Sequence, residues 1–249
     1  MQPVDYNEIS KIYDEVREGD VLLINHFLQE IPRHVALNVL AIGCGTGNHT
    51  DLFQKLTQAQ CHRVYGIDPS EGMLSKARQK NPHIVFQQGT AAHIPSEDNY
   101  FDFVFMTDVI HHVPDIHKMF VEIHRILRPR GKVCIATQSH RQIEARPIAR
   151  FFPGTAQVDK ERYPDISEIV AAGRYGRLRY LKQEILFEDD VIELGADYLE
   201  LVRKKGYSML HLLPEPEYQV GLSNLENALQ NGPIKARSAG ETLMWFMKE

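Results

Sequence analysis

Short apolar runs alternate with amphipathic stretches between residues 35 and 138, and this alternation constrains the fold more than any other feature. Five apolar runs are typical of buried strands: residues 35–42, 63–67, 84–87, 101–106 and 133–138. Helical spacing lies between them, after Gly47, after Ser70 and over residues 115–127. Strands that alternate with such helices form βαβ units. The sequence therefore predicts an α/β fold, doubly wound, with helices on both faces of a mostly parallel sheet.

The rhythm changes after residue 138, where irregular sequence rich in Arg and Pro follows. We expect helices over 4–30, 165–173, 189–206 and 215–231, and strands over 177–188 and 241–248. The last two strands would complete a seven-stranded sheet, and the added helices would form cap insertions. We predict one domain over 1–249, with an N-terminal helical cap (1–34), a ligand-binding core (35–138), and substrate-side insertions with the last two strands (139–249).

Composition and cysteine usage indicate an ordinary globular protein. Hydrophobic residues make up 43% of the 249 residues, enough to bury a core. No apolar run has membrane-spanning length, and the polar start lacks the pattern of a signal peptide. Cys44, Cys61 and Cys134 lack metal-ligand spacing and suit a reducing compartment. We expect a cytoplasmic protein with no metal and no membrane partner.

The charge balance argues against a nucleic-acid partner, because 28 Lys and Arg face 33 Asp and Glu, a net charge of −5. Residues 139–182 form the one locally basic region, with nine Lys or Arg residues and five acids. One interpretation is that an arginine there binds an anionic acceptor. The other is a solvated face held by salt bridges.

The sequence GCGTG, Gly43 to Gly47, ends the first predicted strand. A dinucleotide-binding turn would carry glycine where Asn48 stands, and a P-loop would carry a lysine that is missing here. The spacing G-x-G-x-G fits an adenosyl amino acid, because a side chain in the turn would fill the volume of the ligand. A plain tight turn between strand and helix is the alternative.

An acidic residue ends the second predicted strand. Asp68 follows Gly47 by 21 residues, a position from which a carboxylate accepts hydrogen bonds from ribose hydroxyls. Pro69 and Ser70 come next, so a turn or helix-cap role is the alternative.

Five separated motifs carry a family resemblance. They are VLAIGCGTG, VYGIDPSEGMLSKAR, QQGTAAHIPSEDNYFDFVF, DVIHHVPD and EIHRILRPRGKVCIAT. In this order and spacing the chain resembles the class I S-adenosylmethionine-dependent methyltransferases, specifically the small-molecule type 11 group, over residues 35–138. The resemblance implies a Rossmann-like methyltransferase fold, S-adenosylmethionine as methyl donor and S-adenosylhomocysteine as product.

The resemblance also implies a set of cofactor-binding residues. They are Gly43, Gly45 and Gly47 beneath the cofactor, Asp68 at the ribose, Pro69, Met73, Thr90 and Ala91 around the adenine, Thr107 at the ammonium, and Tyr13 and Arg17 over the methionine end. Ala91 would donate its backbone N–H to the adenine, Thr107 would offer its carbonyl, and Arg17 would face the carboxylate.

Two positions depart from the family pattern. Ala41 stands where the family usually has an acid that helps bind the cofactor's ammonium, and Thr90 stands where an Asp usually accepts from the adenine amine. Losing a charge-assisted contact costs ~1.5–3 kcal/mol. Three interpretations of Ala41 are open: weaker cofactor binding, a compensating group elsewhere for which Asp108 and Glu144 are candidates, or loss of catalysis.

Candidate catalytic residues follow the fourth predicted strand. His111 and His112 lie where the methyl group is expected, and a histidine can take a proton from an acceptor. The alternative is a purely structural role. Tyr207 and His211, in the presumed cap, are further candidates.

The function that follows is methyl transfer from S-adenosylmethionine to a small molecule through its oxygen, nitrogen or carbon. An anionic acceptor is one option. Three rivals are a cofactor-binding sensor without turnover, which Ala41 suggests, an RNA methyltransferase, and a nicotinamide oxidoreductase. The negative charge disfavours the RNA enzyme, and Asn48 disfavours the oxidoreductase.

Overall fold

Seven strands form one sheet in the computed structural model, which describes residues 19–32 and 34–249. The strands are β1 (Asn38–Ile42), β2 (Arg63–Asp68), β3 (Val85–Gln88), β4 (Phe101–Thr107), β5 (Leu127–Thr137), β6 (Leu178–Leu194) and β7 (Ile234–Lys248). Their order across the sheet is β3-β2-β1-β4-β5-β7-β6. The predicted α/β fold with seven strands is confirmed.

Helices connect these strands. They are α1 (Val21–Glu30), α2 (Asn48–Leu56), α3 (Glu71–Lys80), α4 (Ile116–Ile126), α5 (His140–Ala145), α6 (Gly154–Arg162), α7 (Ile166–Tyr175), α8 (Ala196–Arg203) and α9 (Glu215–Leu229). The side chains of Asp20, Ser70 and Asp115 accept backbone N–H groups at the first turns of α1, α3 and α4, which fixes where these helices begin. Within the described ranges, every helix is too short or too polar to span a bilayer.

The order of the strands creates one crevice for a ligand. Strand β1 pairs in parallel with β2 on one side and with β4 on the other, and β2–β3 and β4–β5 are also parallel. The chain therefore runs from β1 outward to β3, then returns to the other side of β1. A ligand of such a sheet binds at this reversal, beyond the carboxyl ends of β1 and β4.

The chain divides into two compact units. The larger unit contains the described residues up to Thr137 together with Ser167–Gln183 and Leu243–Glu249. The smaller unit contains Gln138–Ile166 and Glu184–Thr242. The predicted single domain in three parts stays a prediction.

Aromatic side chains fill the core of the larger unit. Phe27, Phe53, Phe103, Phe105 and Trp245 are almost fully buried, and their ring centroids lie 5.5–6.2 Å apart in successive contacts. Each such side chain contributes about 1.5–3 kcal/mol by burial. This packing makes β1 and β4 a rigid base for the residues at their ends.

The smaller unit has its own apolar cluster and a buried ion pair network. Phe152 stacks on Tyr218 at 5.9 Å within the cluster. Asp159, 1% exposed, accepts from the guanidinium groups of Arg146 and Arg162. Burying that carboxylate is tolerated because two cations surround it.

Several predicted elements need correction. Strand β6 continues to Leu194 through the first part of the predicted helix 189–206, because Val191 and Ile192 favour a strand and the extended Gly195 (φ −123°) separates it from α8. The segment predicted to be irregular contains α5 and α6. The last strand starts at Ile234, earlier than predicted, and the start of the predicted helix 4–30 lies outside the described residues.

Candidate functional site

A cleft, partly open to solvent, lies at the carboxyl ends of β1 and β4. Its lining consists of Ala41, Ile42, Gly43, Cys44, Asn48, His49, Thr50, Phe105, Thr107 and Asp108. All ten residues belong to the larger unit. The cleft therefore occupies the crevice that the strand order creates.

The glycine turn lies at this cleft with its backbone in a conformation that favours glycine. Gly43, Gly45 and Gly47 have φ values of +66°, +54° and +81°. A Cβ on Gly43 would lie 2.4 Å from Cγ2 of Val109, and a Cβ on Gly47 would lie 3.1 Å from Cζ of Phe86. Both positions therefore exclude side chains, and the turn presents bare backbone to a ligand.

Asp68 ties the ends of β1, β2 and β3 together. Its Oδ2 accepts from the Gly45 N–H at 2.9 Å, and its Oδ1 accepts from the Ser70 N–H at 2.9 Å. Its backbone carbonyl accepts from the Gly89 N–H at 3.2 Å. The structure thus brings Asp68 against the glycine turn, an arrangement that its sequence position did not reveal.

Burial controls the charges of this network. Desolvation raises the pKa of the Asp68 carboxyl, and the N–H groups of Ser70 and Gly45 partly offset that shift. Desolvation, reinforced by the Asp68 charge, raises the pKa of the Cys44 thiol well above its usual value. The thiol of Cys44 beside the turn is therefore favoured in its neutral form.

The residues predicted at the adenine lie on the β2 and β3 side of the turn. Pro69 is exposed, and its carbonyl accepts from Nε2 of Gln88 at 2.9 Å. Met73 is 1% exposed inside α3. Thr90 is exposed, its backbone pairs with His93, and Ala91 is half-buried. Adenine contacts by these residues stay a prediction.

The methionine end of the predicted cofactor site is described only in part. Tyr13 and Arg17 lie outside the described residues. Thr107 lines the cleft, and its Oγ1 lies 3.2 Å from Nδ1 of His49. Thr107 is thus in place for the predicted contact, and the contact itself stays a prediction.

Two polar residues in the first turn of α2 were missed by the sequence analysis. His49 and Thr50 both line the cleft. Thr50 is 1% exposed, and its Oγ1 has no hydrogen-bond partner among the described residues. A buried hydroxyl without a partner is costly, so Thr50 offers a polar atom that a ligand can satisfy.

His111 and His112 lie beside each other in a short 3₁₀ turn, Ile110–His112, with ring centroids 3.9 Å apart. The turn begins three residues after β4 ends at Thr107. Neither ring is among the described residues that line the cleft. Their catalytic role stays a prediction.

Tyr207 and His211 belong to the smaller unit, and the basic residues of 139–182 are divided between the two units. Nε2 of His211 lies 2.8 Å from the Lys205 carbonyl, and Tyr207 packs against Tyr198. Of the nine basic residues in 139–182, six form ion pairs: Arg141, Arg146, Lys160, Arg162, Arg179 and Lys182. These pairs favour the salt-bridge interpretation of the basic region over an anion site.

The described residues of the cleft fit an adenosyl amino acid. The bare glycine turn leaves room for its close approach, the Asp68 carboxylate ends the neighbouring strand, and Thr50 and Thr107 supply polar atoms. A pyrophosphate would instead need the third glycine at Asn48.

Known proteins are similar to this chain. The model of the methyltransferase domain family matches residues 40–135. The demethylmenaquinone methyltransferase of Symbiobacterium thermophilum is 31% identical over 68% of this chain and 68% of its own length. That of Lactiplantibacillus plantarum is 34% identical over 48% of this chain and 54% of its own length. The chain thus matches 54% to 68% of the length of these curated relatives.

A solved structure supports the same fold. A SAM-dependent methyltransferase from Aquifex aeolicus superposes with a TM-score of 0.62 at 17% identity, covering 99% of this chain and 100% of that one. At this identity the likeness shows the fold alone.

Proposed function

Because this chain belongs to the class I S-adenosylmethionine-dependent methyltransferases, we propose that it transfers a methyl group from this cofactor to a small-molecule acceptor. The observation that carries the proposal is the hydrogen bond from the Gly45 N–H to Asp68 Oδ2, at 2.9 Å. It joins the turn that would underlie the cofactor to the carboxylate that would hold its ribose.

The protein's part in such a reaction is to bind and orient. S-adenosylmethionine, when bound, supplies both an activated methyl group and the leaving group. The turn of Gly43, Gly45 and Gly47 would let the cofactor approach the protein backbone closely. Asp68 would accept hydrogen bonds from the ribose hydroxyls, and the Thr107 carbonyl would accept from the ammonium. The protein then needs only to align the acceptor and exclude water.

For the acceptor, we propose a reduced quinone ring. Two relatives, at 31% and 34% identity, are named demethylmenaquinone methyltransferases, which supports this chemistry. The ring carbon would form a bond to the methyl group, the methyl–sulfur bond would break to leave a neutral thioether, and the ring proton would leave. His111 and His112 are the candidates to accept that proton.

A methyl-transfer assay with isotopically labelled cofactor tests the proposal. The acceptors compared are a demethylated menaquinol analogue, a phenol and a primary amine, with mass spectrometry of the products. We expect the label on the ring carbon of the quinol. Label on oxygen or nitrogen would still support methyltransferase activity but would overturn the proposed quinol acceptor.

The cofactor site has its own test. Asp68→Ala should weaken S-adenosylhomocysteine binding tenfold or more in calorimetry, because a carboxylate acceptor for charge-assisted bonds is lost. Glu97→Ala, which removes an exposed carboxylate of the same unit, is the control. An unchanged dissociation constant for Asp68→Ala would mean that the ribose lies elsewhere.

A cofactor-binding protein without turnover is the second candidate, and the cleft contains the observation that favours it. Ala41, 2% exposed, lines the cleft where the family usually carries an acid. Tight binding of S-adenosylhomocysteine with no label on any acceptor would support this sensor role.

A further inference from the structure

We propose that the first turn of α2 binds the carboxylate of the cofactor's amino acid, and that the hydroxyl of Thr50 donates a hydrogen bond to it. The inference deepens the proposed function and rests on it for the identity of the cofactor. The family resemblance places Arg17 opposite this carboxylate, and Arg17 lies outside the described residues. Thr50 adds a donor that the structure describes.

The start of α2 lies at the cleft. Asn48, His49 and Thr50 open this helix, and all of them line the cleft. Gly47, the residue before the helix, has a φ of +81° and no side chain to cap it. The first N–H groups of a helix have no partner within the helix and form the positive end of its dipole. This end of α2 therefore attracts an anion in the cleft.

The hydroxyl of Thr50 indicates a ligand independently of the helix end. Thr50 is 1% exposed, and its Oγ1 has no hydrogen-bond partner among the described residues. Thr57, just after the other end of α2, is equally buried, but its Oγ1 donates to the Phe53 carbonyl at 2.7 Å. A buried hydroxyl almost always has a partner. Because Thr50 lines the cleft, a bound ligand can supply that partner.

The chemistry of the cofactor selects its carboxylate. S-adenosylmethionine carries a cationic sulfonium and a cationic ammonium, and the carboxylate is its one anionic group. The positive end of α2 disfavours the cations and favours the carboxylate, to which a hydroxyl donates a charge-assisted hydrogen bond. Asp51, the acid in the first turn of α2, forms an ion pair with Lys55 at 2.6 Å and accepts from Nδ2 of Asn81 at 2.7 Å. These two donors offset its charge.

Calorimetry with two ligands tests the assignment. S-adenosylhomocysteine carries the carboxylate, whereas its decarboxylated analogue keeps the nucleoside, the thioether and the ammonium. Thr50→Val keeps the branched shape of the side chain and removes the hydroxyl. We expect it to weaken S-adenosylhomocysteine binding about tenfold and to leave binding of the decarboxylated analogue unchanged. Thr50→Ser keeps the hydroxyl and should retain most of the S-adenosylhomocysteine affinity.

Thermal unfolding of the unliganded protein separates this role from a structural one. Because the Thr50 hydroxyl has no partner to lose among the described residues, Thr50→Val should melt at or above the wild-type temperature. Thr57→Val is the matched control, since it removes a hydrogen-bonded hydroxyl at the other end of α2. It should melt about 2–4 °C lower than wild type and leave the S-adenosylhomocysteine affinity unchanged.

The outcomes separate this inference from the proposed function. Equal affinities of wild type and Thr50→Val for S-adenosylhomocysteine, or an equal loss for both ligands, would overturn the role of Thr50 alone. A melting temperature of Thr50→Val as low as that of Thr57→Val would also overturn it, because the hydroxyl would then have a structural partner. Failure of the wild type to bind S-adenosylhomocysteine would overturn the proposed function itself.

Discussion

At the scale of single residues, Gly43 is the position where the site depends most directly on the absence of a side chain. Gly43→Ala would place a Cβ 2.4 Å from Val109 and would hold alanine at a φ of +66°. We expect the variant to lose S-adenosylhomocysteine binding and about 1–3 kcal/mol of stability. Calorimetry and chemical denaturation measure the two effects.

The control for that variant is a glycine without either constraint. Gly195 has a φ of −123°, and a Cβ there would meet only Pro233 at 3.9 Å. Gly195→Ala should leave both stability and binding close to wild type. A Gly43→Ala protein that matches this control would show that the turn accepts side chains.

His111 and His112 are adjacent, so their roles have to be separated by single substitutions. If one of them accepts the acceptor's proton, replacing it with glutamine should remove the acidic limb of the pH profile of kcat/KM, because a base loses activity when it is protonated at low pH. The partner's substitution should preserve that limb, as should His117→Gln on the exposed side of α4. Profiles of one shape for all three variants would assign the pair a structural role.

At the scale of elements, Arg125 of α4 secures the segment that precedes β4. Its guanidinium donates to the carbonyls of Ile94 and Ser96 and to the carboxylates of Glu122 and Asp98. Arg125→Met should cost about 2 kcal/mol at neutral pH, because two carbonyls and a carboxylate in partly buried hydrogen bonds lose their donor. Arg203→Met, which removes exposed pairs with Glu200 and Glu226, should change stability little.

The same interaction predicts a pH dependence. The hydrogen bond from Arg125 lowers the pKa of the Glu122 carboxyl, so the pair stabilises the fold above the unfolded pKa of Glu122. This stability is lost as the pH falls through the lowered, folded pKa. The difference in unfolding free energy between wild type and Arg125→Met should therefore shrink in acid. A difference that is constant with pH would argue against the pairing.

Elements were predictable where their residues alone define burial. Strands β1 and β4 and the end of β5 from Val133 are continuous apolar runs because both faces of a parallel sheet are covered. The helices predicted after Ser70 and over 115–127 correspond to α3 and α4. The prediction was wrong for the second half of β6 because exposed residues there, such as Val191, show no pattern of burial in the sequence. Its end depends on the backbone of Gly195, which no residue pattern reports.

The site was predictable to the same extent. The glycine turn and Asp68 follow from local sequence, because each ends a buried strand. The contribution of His49 and Thr50 depends on how α2 is rotated against the sheet, and the bond between Asp68 and Gly45 depends on strand order. Both are tertiary properties, so the sequence held no signal for them.

At the scale of the whole molecule, the cleft and the buried ion pairs of Asp159 lie in different units. Every described residue that lines the cleft belongs to the larger unit, whereas the buried carboxylate of Asp159 lies in the smaller unit between Arg146 and Arg162. Perturbing that carboxylate therefore tests whether the cleft functions without support from the smaller unit.

Asp159→Asn should destabilise the protein by about 3–5 kcal/mol, because it leaves two largely buried guanidinium groups without their counter-charge. The affinity for S-adenosylhomocysteine should be measured at a temperature where the variant is folded. It should stay within about twofold of wild type, well below the tenfold change that 1.4 kcal/mol produces, because the described residues that line the cleft belong to the larger unit. Gly43→Ala is the converse case, because it changes the larger unit and should abolish binding. If the affinity of Asp159→Asn fell tenfold while calorimetric unfolding showed a folded protein, residues of the smaller unit would have to be counted among those that hold the cofactor.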